Sequence, residues 1–294
     1  MNPSPAPAGW RRLYPFQSNY MTTAEGHRLH YLDVGQGEAI VMVHGNPTWS
    51  FYFRELVKEL RSDCRCIVPD HIGCGLSAKP QHWDYRLEHH IAKLEQLIDQ
   101  ELGLSKVHLV MHDWGGAIGM GYAVRHPEKI GRMVVLNTGA FHGHPCPLRI
   151  RLCRIPLLGA IAVRGFNAFA GLATKMATKV GLEDDVRDGL LYPYDNWNNR
   201  IAVHRFVQDI PLSASHPSWQ ALACIQKGLH QLQDHPMLIC WGERDFCFTT
   251  DFMETWQQYF PDAETATWPE AGHYVLEDVR NEIIPKIAEF LRQA

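Results

Sequence analysis

The stretch from residue 107 to residue 116 most constrains the fold of this chain, because an apolar run ends there abruptly in His-Asp-Trp-Gly-Gly. The run has the composition of a buried parallel strand, and the paired glycines after it predict the closely packed start of a helix. The sequence therefore predicts a sharp strand-to-helix turn with the carboxylate of Asp113 at its tip. Such a turn holds one side chain above the sheet and points the next helix N-terminus at developing negative charge. Asp113 is thus a candidate nucleophile, with a simple helix N-cap as the alternative.

Length and charge limit the classes of function. The chain has 294 residues, 46% of them hydrophobic, which is enough for a large core in one domain with an insertion. A net charge of −4 with interspersed signs gives no basic stripe for nucleic acid and no polybasic membrane anchor, so we expect a small, uncharged molecule as the partner. No apolar window reaches the ~18 residues of a membrane span, and residues 1–8 lack the apolar region of a signal peptide, which predicts a cytoplasmic protein. The eight cysteines contain no C-x-x-C pair, so we expect reduced thiols and neither disulfides nor a metal site. No cofactor is expected.

Strand-like and helix-like segments alternate along most of the chain. Apolar or alternating stretches typical of strands occur at residues 28–34, 39–43, 64–68, 107–111, 132–136, 237–241 and 263–268. Amphipathic stretches typical of helices occur between them, at residues 49–60 and 87–102, and again at 279–291. This alternation predicts an α/β fold, with a mostly parallel sheet covered by helices on both faces.

One interval breaks the alternation. Residues 137–234 contain no convincing strand, but helix-like stretches occur at 166–180 and 198–208. A single crossover between parallel strands needs far fewer residues. We therefore expect a helical cap at 140–232, inserted above the strand ends of a core formed by 1–139 and 233–294.

A nucleophilic carboxylate needs a base to release the ester that it forms. Aspartate is ionised at neutral pH, with a free pKa near ~3.9, but water must be activated to attack the ester. His273 is the candidate base, because it lies on a glycine-marked loop after the last predicted strand and sites of this kind place the histidine last. Asp245, just beyond strand 237–241, is the candidate acid that orients His273, and Glu243 in the same turn is the alternative.

Negative charge on a leaving group must be received by hydrogen-bond donors. Asn46 follows a buried strand in the sequence His-Gly-Asn-Pro, where its loop can face the turn at Asp113. Trp114 offers both a backbone N–H and an indole N–H beside the nucleophile. A turn role for Asn46 and a packing role for Trp114 are the alternatives.

Together these segments resemble the haloalkane-dehalogenase-like branch of the α/β-hydrolase family over nearly the whole chain. The motifs that carry the resemblance are His-Gly-Asn-Pro-Thr at 44–48, Pro-Asp-His-Ile-Gly-Cys-Gly-Leu-Ser at 69–77, and the turn at 112–116. The resemblance implies an α/β-hydrolase fold and a set of roles: Asp113 as nucleophile, Asp245 as acid, His273 as base, Asn46 with Trp114 as the leaving-group clamp, and Asp70 as a loop-organising residue.

Motifs in the predicted cap indicate a particular group of enzymes within that branch. Residues 164–169, 193–201 and 205–212 look like the OleB-type β-lactone decarboxylases of olefin biosynthesis within that branch. This implies a cis-β-lactone with two long alkyl chains as substrate, and a cis-alkene with carbon dioxide as products. It leaves open whether Asp113 attacks the ring carbon or the carbonyl. It also implies assembly with other enzymes of the olefin pathway, and a homo-oligomer is a further option.

Three other functions compete with this interpretation. Haloalkane hydrolysis uses the same residues, and epoxide hydrolases share the His-Asp-Trp-Gly-Gly turn. Tyr192 and Tyr194 favour epoxide opening, which needs phenol donors, whereas epoxide hydrolases usually carry an aromatic residue in place of Asn46. A non-catalytic, ligand-binding member of the fold predicts a damaged triad, but all three triad positions are intact.

Overall fold

The computed structural model describes residues 9–293. The sequence-based prediction about a signal peptide concerns residues 1–8 and lies outside the described residues. Within the described part, no helix combines the length and the apolar character that crossing a membrane requires.

A sheet of eight strands forms the centre of the molecule. In chain order the strands are β1 Asn19–Thr22, β2 Arg28–Val34, β3 Glu38–Val43, β4 Cys64–Pro69, β5 Val107–Asp113, β6 Ile130–Thr138, β7 Met237–Gly242 and β8 Glu264–Trp268. Their order across the sheet is β1-β2-β4-β3-β5-β6-β7-β8. The pairs β1–β2 and β2–β4 are antiparallel, and the remaining pairs are parallel. The predicted α/β fold is confirmed. Strand β1 was not predicted, because only one of its four residues, Met21, is buried and the apolar signal is therefore weak.

Thirteen α-helical segments lie in the described part of the chain. They are α1 Gly9–Leu13, α2 Arg54–Leu60, α3 Leu87–Glu95, α4 Trp114–Ala123, α5 Leu148–Leu152, α6 Leu158–Ala160, α7 Ala168–Met176, α8 Asp184–Leu191, α9 Ile201–Gln208, α10 Trp219–Gly228, α11 Thr250–Tyr259, α12 Val275–Asp278 and α13 Arg280–Arg292. The helix expected at 87–102 is α3 continued by a π-helix at Gln96–Glu101. Another π-helix, Ile161–Gly165, continues α6.

Two hydrophobic layers cover the two faces of the sheet. Neighbouring residues of a strand point to opposite faces, so Val41 and Val43 of β3 join one layer while Ile40 and Met42 join the other. Helices α3, α4, α10 and α11 complete the first layer, and α2 and α13 complete the second. Burial on both sides explains why the central strands are continuously apolar in sequence.

The long insertion between β6 and β7 is helical, and it contains no strand within the described residues. It has a small core of its own, in which Val163, Ala170, Tyr194 and Val203 are buried together. Side-chain hydrogen bonds tie the insertion to the loop after β3. The indole of Trp49 donates to the Gly189 carbonyl at 3.0 Å, and the Tyr194 hydroxyl donates to the Thr48 carbonyl at 3.2 Å. The insertion therefore lies against the loop that follows the carboxyl end of β3.

Candidate active site

Asp113 lies at the junction of β5 and α4 in a strained backbone conformation. Its φ of 52° and ψ of −126° fall in a region that residues other than glycine rarely occupy. Two glycines leave the room for this turn. A Cβ on Gly115 would overlap the Val43 carbonyl, and a Cβ on Gly45 would overlap the Asp113 carboxylate. The Thr138 hydroxyl donates to the Asp113 carbonyl and holds the turn from β6. The predicted sharp strand-to-helix turn is therefore present.

The two carboxylate oxygens of Asp113 have different surroundings. Oδ1 accepts a hydrogen bond from the backbone N–H of Asn46 at 2.5 Å, and the backbone N–H of Trp114 also donates to the carboxylate. Oδ2 faces Nε2 of His273 at 3.6 Å. Burial raises the pKa of Asp113, against the opposing effect of His273 and the two N–H donors. Oδ1 is thus anchored, whereas Oδ2 points toward the histidine.

His273 lies between two carboxylates. Its Nδ1 contacts Oδ2 of the buried Asp245 at 2.7 Å, which leaves Nε2 directed at Asp113. Burial lowers the pKa of His273, but the Asp245 and Asp113 carboxylates outweigh it, so the pKa lies above its ordinary value. His112, whose own pKa burial lowers, donates from Nε2 to the His273 carbonyl at 2.9 Å. The arrangement holds the imidazole in one orientation, as a general base requires.

Asp245 is held by a residue that the sequence analysis did not select, Asn137. Its Nδ2 donates to Asp245 Oδ2 at 3.1 Å, and its Oδ1 accepts from the backbone N–H of Gly242 at 2.9 Å. The backbone N–H of Cys247 donates to the other Asp245 oxygen at 2.7 Å. The rival acid Glu243 is exposed and does not contact His273. The structure therefore brings Asp245, and not Glu243, to the histidine.

We expect Asn137→Ala to lower kcat for haloalkane hydrolysis, the reaction in which His273 would act as a base, by about 10- to 100-fold, because Asp245 loses a donor that fixes its orientation toward His273. KM is expected to stay unchanged, since Asn137 does not line the cavity described below. Loss of the buried amide should also lower the free energy of unfolding by about 1–3 kcal/mol. Steady-state kinetics and urea unfolding measure the two effects. An unchanged kcat in a destabilised variant would restrict Asn137 to a structural role.

Asn46 and Trp114, the predicted clamp residues, both lie at the cavity beside Asp113. Nδ2 of Asn46 donates one hydrogen to the Val203 carbonyl at 3.1 Å, which leaves its second hydrogen available. The Asn46 Oδ1 is buried and has no hydrogen-bond partner among the described residues. The indole Nε1 of Trp114 likewise donates to none of the side chains or carbonyls in residues 9–293, and its ring packs on Phe206 with centroids 5.3 Å apart. Two unused N–H groups therefore flank the nucleophile.

A cavity of about 410 Å³ opens above Asp113 and His273. Most of its lining is apolar, and much of it comes from the insertion: Phe141, Pro145, Pro147, Ile150, Phe169, Ala173, Val207, Ile210, Leu212, Trp219 and Leu222. No tyrosine belongs to the described lining. Tyr192 instead packs on Trp10, and Tyr194 is buried against Thr48. The phenol donors that the sequence offered for epoxide opening therefore do not face the nucleophile.

Asp70 lies in the loop after β4. Its buried carboxylate accepts hydrogen bonds from the backbone N–H groups of Ser50 and Leu76, at 2.7 and 2.8 Å, and contacts Nδ1 of His30 at 2.8 Å. These contacts join the loop after β4 to His30 of β2 and to Ser50 in the segment after β3, and they fit the predicted loop-organising role. They place Asp70 outside the cavity lining.

One group of side chains in the described residues has metal-binding spacing: Glu95, Asp99 and His126. Lys129 already pairs with Asp99 at 2.6 Å, and Arg125 pairs with Glu95 at 3.3 Å. None of these residues lines the cavity, so the group belongs to a surface ion-pair network.

The sheet order, the strained turn and the Asp-His-Asp contacts define an α/β-hydrolase-type enzyme, and the chain belongs to the α/β-hydrolase fold family, whose model matches residues 38–278. A cis-3-alkyl-4-alkyloxetan-2-one decarboxylase from Shewanella oneidensis is 46% identical, with 96% of this chain and 90% of the relative covered. Haloalkane dehalogenase 2 from Mycobacterium bovis is 30% identical, with 95% of this chain and 96% of the relative covered. The crystal structure of a haloalkane dehalogenase loop variant from Bradyrhizobium elkanii has a TM-score of 0.84, 22% identity and 94% and 96% coverage, and it supports the fold. The predicted membership of this family and the predicted similarity to β-lactone decarboxylases are confirmed.

Proposed function

We propose that this protein is a cis-β-lactone decarboxylase in which Asp113 is the nucleophile, Asp245 and His273 complete the triad, and residues 140–232 form a cap. The observation that carries the proposal is the 46% identity to a decarboxylase over nearly the full length of both chains, against 30% to a dehalogenase. An oxetan-2-one is a β-lactone, and two alkyl substituents make it an apolar ligand. The apolar cavity above Asp113 suits such a ligand.

In the first step, we propose that Oδ2 of Asp113 attacks the ring carbon that carries the ring oxygen. The carbon–oxygen bond of the strained ring breaks, and the electron pair leaves as a carboxylate. The product is an alkyl ester on Asp113 with the carboxylate on the neighbouring carbon. Oδ1 cannot attack as easily, because the Asn46 N–H engages it. The free N–H groups of Asn46 and Trp114 are placed to receive the new carboxylate.

In the second step, the carboxylate loses carbon dioxide and its electron pair forms the carbon–carbon double bond. The ester bond to Asp113 breaks at the same time and regenerates the aspartate. Inversion in the first step followed by anti elimination in the second converts a cis-lactone into a cis-alkene. Neither step consumes water or a proton. Burial lowers the pKa of His273, but the neighbouring carboxylates raise it above its ordinary value. In its protonated form, His273 stabilises the departing Asp113 carboxylate.

Haloalkane hydrolysis is the second candidate, because the same nucleophile and the same donors suit a halide leaving group. It differs in needing water, which neutral His273 would activate against the ester. Epoxide hydrolysis is less well supported, since no tyrosine lines the described cavity. A purely ligand-binding role does not account for a strained turn that aims a buried carboxylate at a histidine.

The proposed reaction also indicates which enzymes act together with this protein. A strained β-lactone must be supplied by an enzyme that closes the ring, so we propose that the protein works with other olefin-pathway enzymes. We also propose that it does so in the cytoplasm.

A paired-substrate assay tests the proposed function. A cis-β-lactone with two long alkyl chains and a 1-bromoalkane are given separately at equal concentration, and alkene, carbon dioxide and bromide are measured. We expect alkene release with the larger kcat/KM, because two alkyl arms bury more apolar surface than one, at about 25 cal/mol per Å². Faster bromide release by about tenfold or more, or a hydroxy acid as the sole lactone product, would overturn the proposal.

Removing either clamp donor should slow the reaction with little effect on folding. We expect Trp114→Phe and Asn46→Ala each to lower kcat by about 10²- to 10³-fold, since each loses one N–H aimed at developing charge. Tyr85→Phe serves as a control, because its hydroxyl donates to the Pro80 carbonyl and does not line the cavity. Thermal unfolding checks the fold. Parallel losses of stability and activity would instead assign both residues to packing.

A further inference from the structure

The insertion carries an exposed apolar surface on its outer side. Six large side chains of helices α5 to α7 and their connections are between 53% and 80% exposed: Leu148, Leu152, Leu157, Leu158, Phe166 and Leu172. We call these residues the α5–α7 face. Single exposed apolar residues are ordinary in soluble proteins, but six strongly exposed ones within residues 148–172 are a concentration that marks a contact surface.

The helices present this face by burying their opposite sides. The buried sides are formed by Ile150 of α5, Val163 of the π-helix and Ala170 of α7. Leu148 and Leu152 are spaced four residues apart and so lie on one side of α5. Leu157 is 74% exposed and has a φ of 63°, so the chain holds an apolar side chain in solvent at a strained position. The fold itself therefore keeps these apolar side chains exposed.

The charge of the same segment is one-sided, although the two signs are interspersed over the chain as a whole and no run of consecutive basic residues forms a polybasic anchor. Residues 141–182 contain six Lys or Arg and no Asp or Glu, in a chain with a net charge of −4. Arg149, Arg151 and Lys175 are exposed, and no carboxylate in residues 9–293 lies within ion-pair distance of them. The surface thus combines apolar side chains with unpaired positive charge.

We propose that the α5–α7 face docks this protein onto the surface of an anionic lipid bilayer. Apolar side chains that insert at the headgroup boundary, beside basic residues that meet anionic headgroups, are the features of interfacial membrane binding. A second copy of this chain would bring like charges together, which disfavours self-association through the face. Docking follows from exposure and charge alone, so it does not rest on the proposed reaction.

The helices that carry the α5–α7 face also form part of the cavity lining. Ile150 and Phe169 line the cavity, while Leu148 and Leu172 on the same helices point outward. Docking therefore places the cavity next to the hydrocarbon phase, where an apolar ligand concentrates.

Vesicle flotation with the full chain tests the proposal. Phosphatidylcholine vesicles are compared with vesicles that also contain about 30% phosphatidylglycerol. We expect binding to the anionic vesicles to be about tenfold tighter or more, and to weaken with added salt. Leu157→Ser with Leu158→Ser, and separately Arg149→Glu with Arg151→Glu, should each weaken binding by about tenfold.

A matched control variant distinguishes a role of the α5–α7 face from a general effect of net charge. Lys106→Glu with Lys227→Glu makes the same change in net charge at exposed residues outside the α5–α7 face, and binding should stay near wild type. Thermal unfolding confirms that each variant folds. Failure to float with anionic vesicles, or equal loss in the control, would overturn the proposal. Analytical ultracentrifugation tests self-association. A dimer that the two face variants abolish would also overturn the proposal, because the α5–α7 face would then bind a second copy of this chain.

Discussion

Asp113→Asn is expected to abolish turnover of both the β-lactone and the haloalkane, by about 10⁴-fold or more. The substitution keeps the shape of the side chain but removes the nucleophilic oxygen, and no neighbouring carboxylate can replace it. Asp245, the other acid of the site, is turned away and engaged by His273 and Asn137. Alkene and bromide release measure the loss, and intact-protein mass confirms that the amide persists during the assay.

The same substitution should leave the fold intact. Burial raises the pKa of Asp113, so ionising this carboxylate in the folded protein is unfavourable compared with the unfolded chain. We therefore expect the thermal unfolding midpoint of Asp113→Asn to equal or exceed that of the wild type. Asp113→Ala should show the same loss of activity. Turnover within about tenfold of wild type in either variant would remove Asp113 from the role of nucleophile.

The sequence was most informative about the central sheet. Strands β3 to β7 are buried on both faces, so they appear as apolar runs that periodicity alone can locate. Strand β1 was not predicted, because its position at the sheet edge leaves three of its four residues at least partly exposed. The split of the helix at 87–102 into an α-helix and a π-helix has no signal in the hydrophobic pattern, since both keep the same face buried.

The candidate site was predictable where a local motif defines it and obscure where distant segments meet. The turn at Asp113 is encoded in consecutive residues, but the hydrogen bond from Asn137 to Asp245 joins positions 108 residues apart. Asn137 directly follows the strand predicted at 132–136, a position typical of turn residues, and only the packing of β6 beside β7 shows its role. Tyr192 and Tyr194 illustrate the converse, because their sequence position in the insertion does not reveal that both point away from the cavity.

His273→Ala should separate the two candidate reactions, because only one of them needs a base. Hydrolysis of a haloalkane requires water attack on the Asp113 ester, and loss of a general base typically costs about 10²- to 10⁴-fold. The variant should therefore release about one equivalent of bromide per enzyme and then stop, with the alkyl ester visible on Asp113 by mass spectrometry. In the wild-type enzyme, bromide turnover should rise with pH, because only neutral His273 is a base. The midpoint should lie above the ordinary histidine value, since Asp245 and Asp113 outweigh burial and raise the pKa of His273.

Alkene formation from the lactone should behave differently in the same variant. Neither proposed step takes up water or a proton, so His273→Ala should remove only the positive charge that stabilises the departing Asp113 carboxylate. We therefore expect alkene release to stay within about tenfold of wild type and no ester to accumulate. The wild-type lactone reaction should likewise lack the rise with pH that marks the bromide assay. Asn137→Ala offers a matched comparison, because it loosens Asp245 while leaving the imidazole in place. If alkene release falls as steeply as bromide turnover, a base-dependent step lies on the lactone pathway and attack at the ring carbon followed by direct fragmentation is wrong.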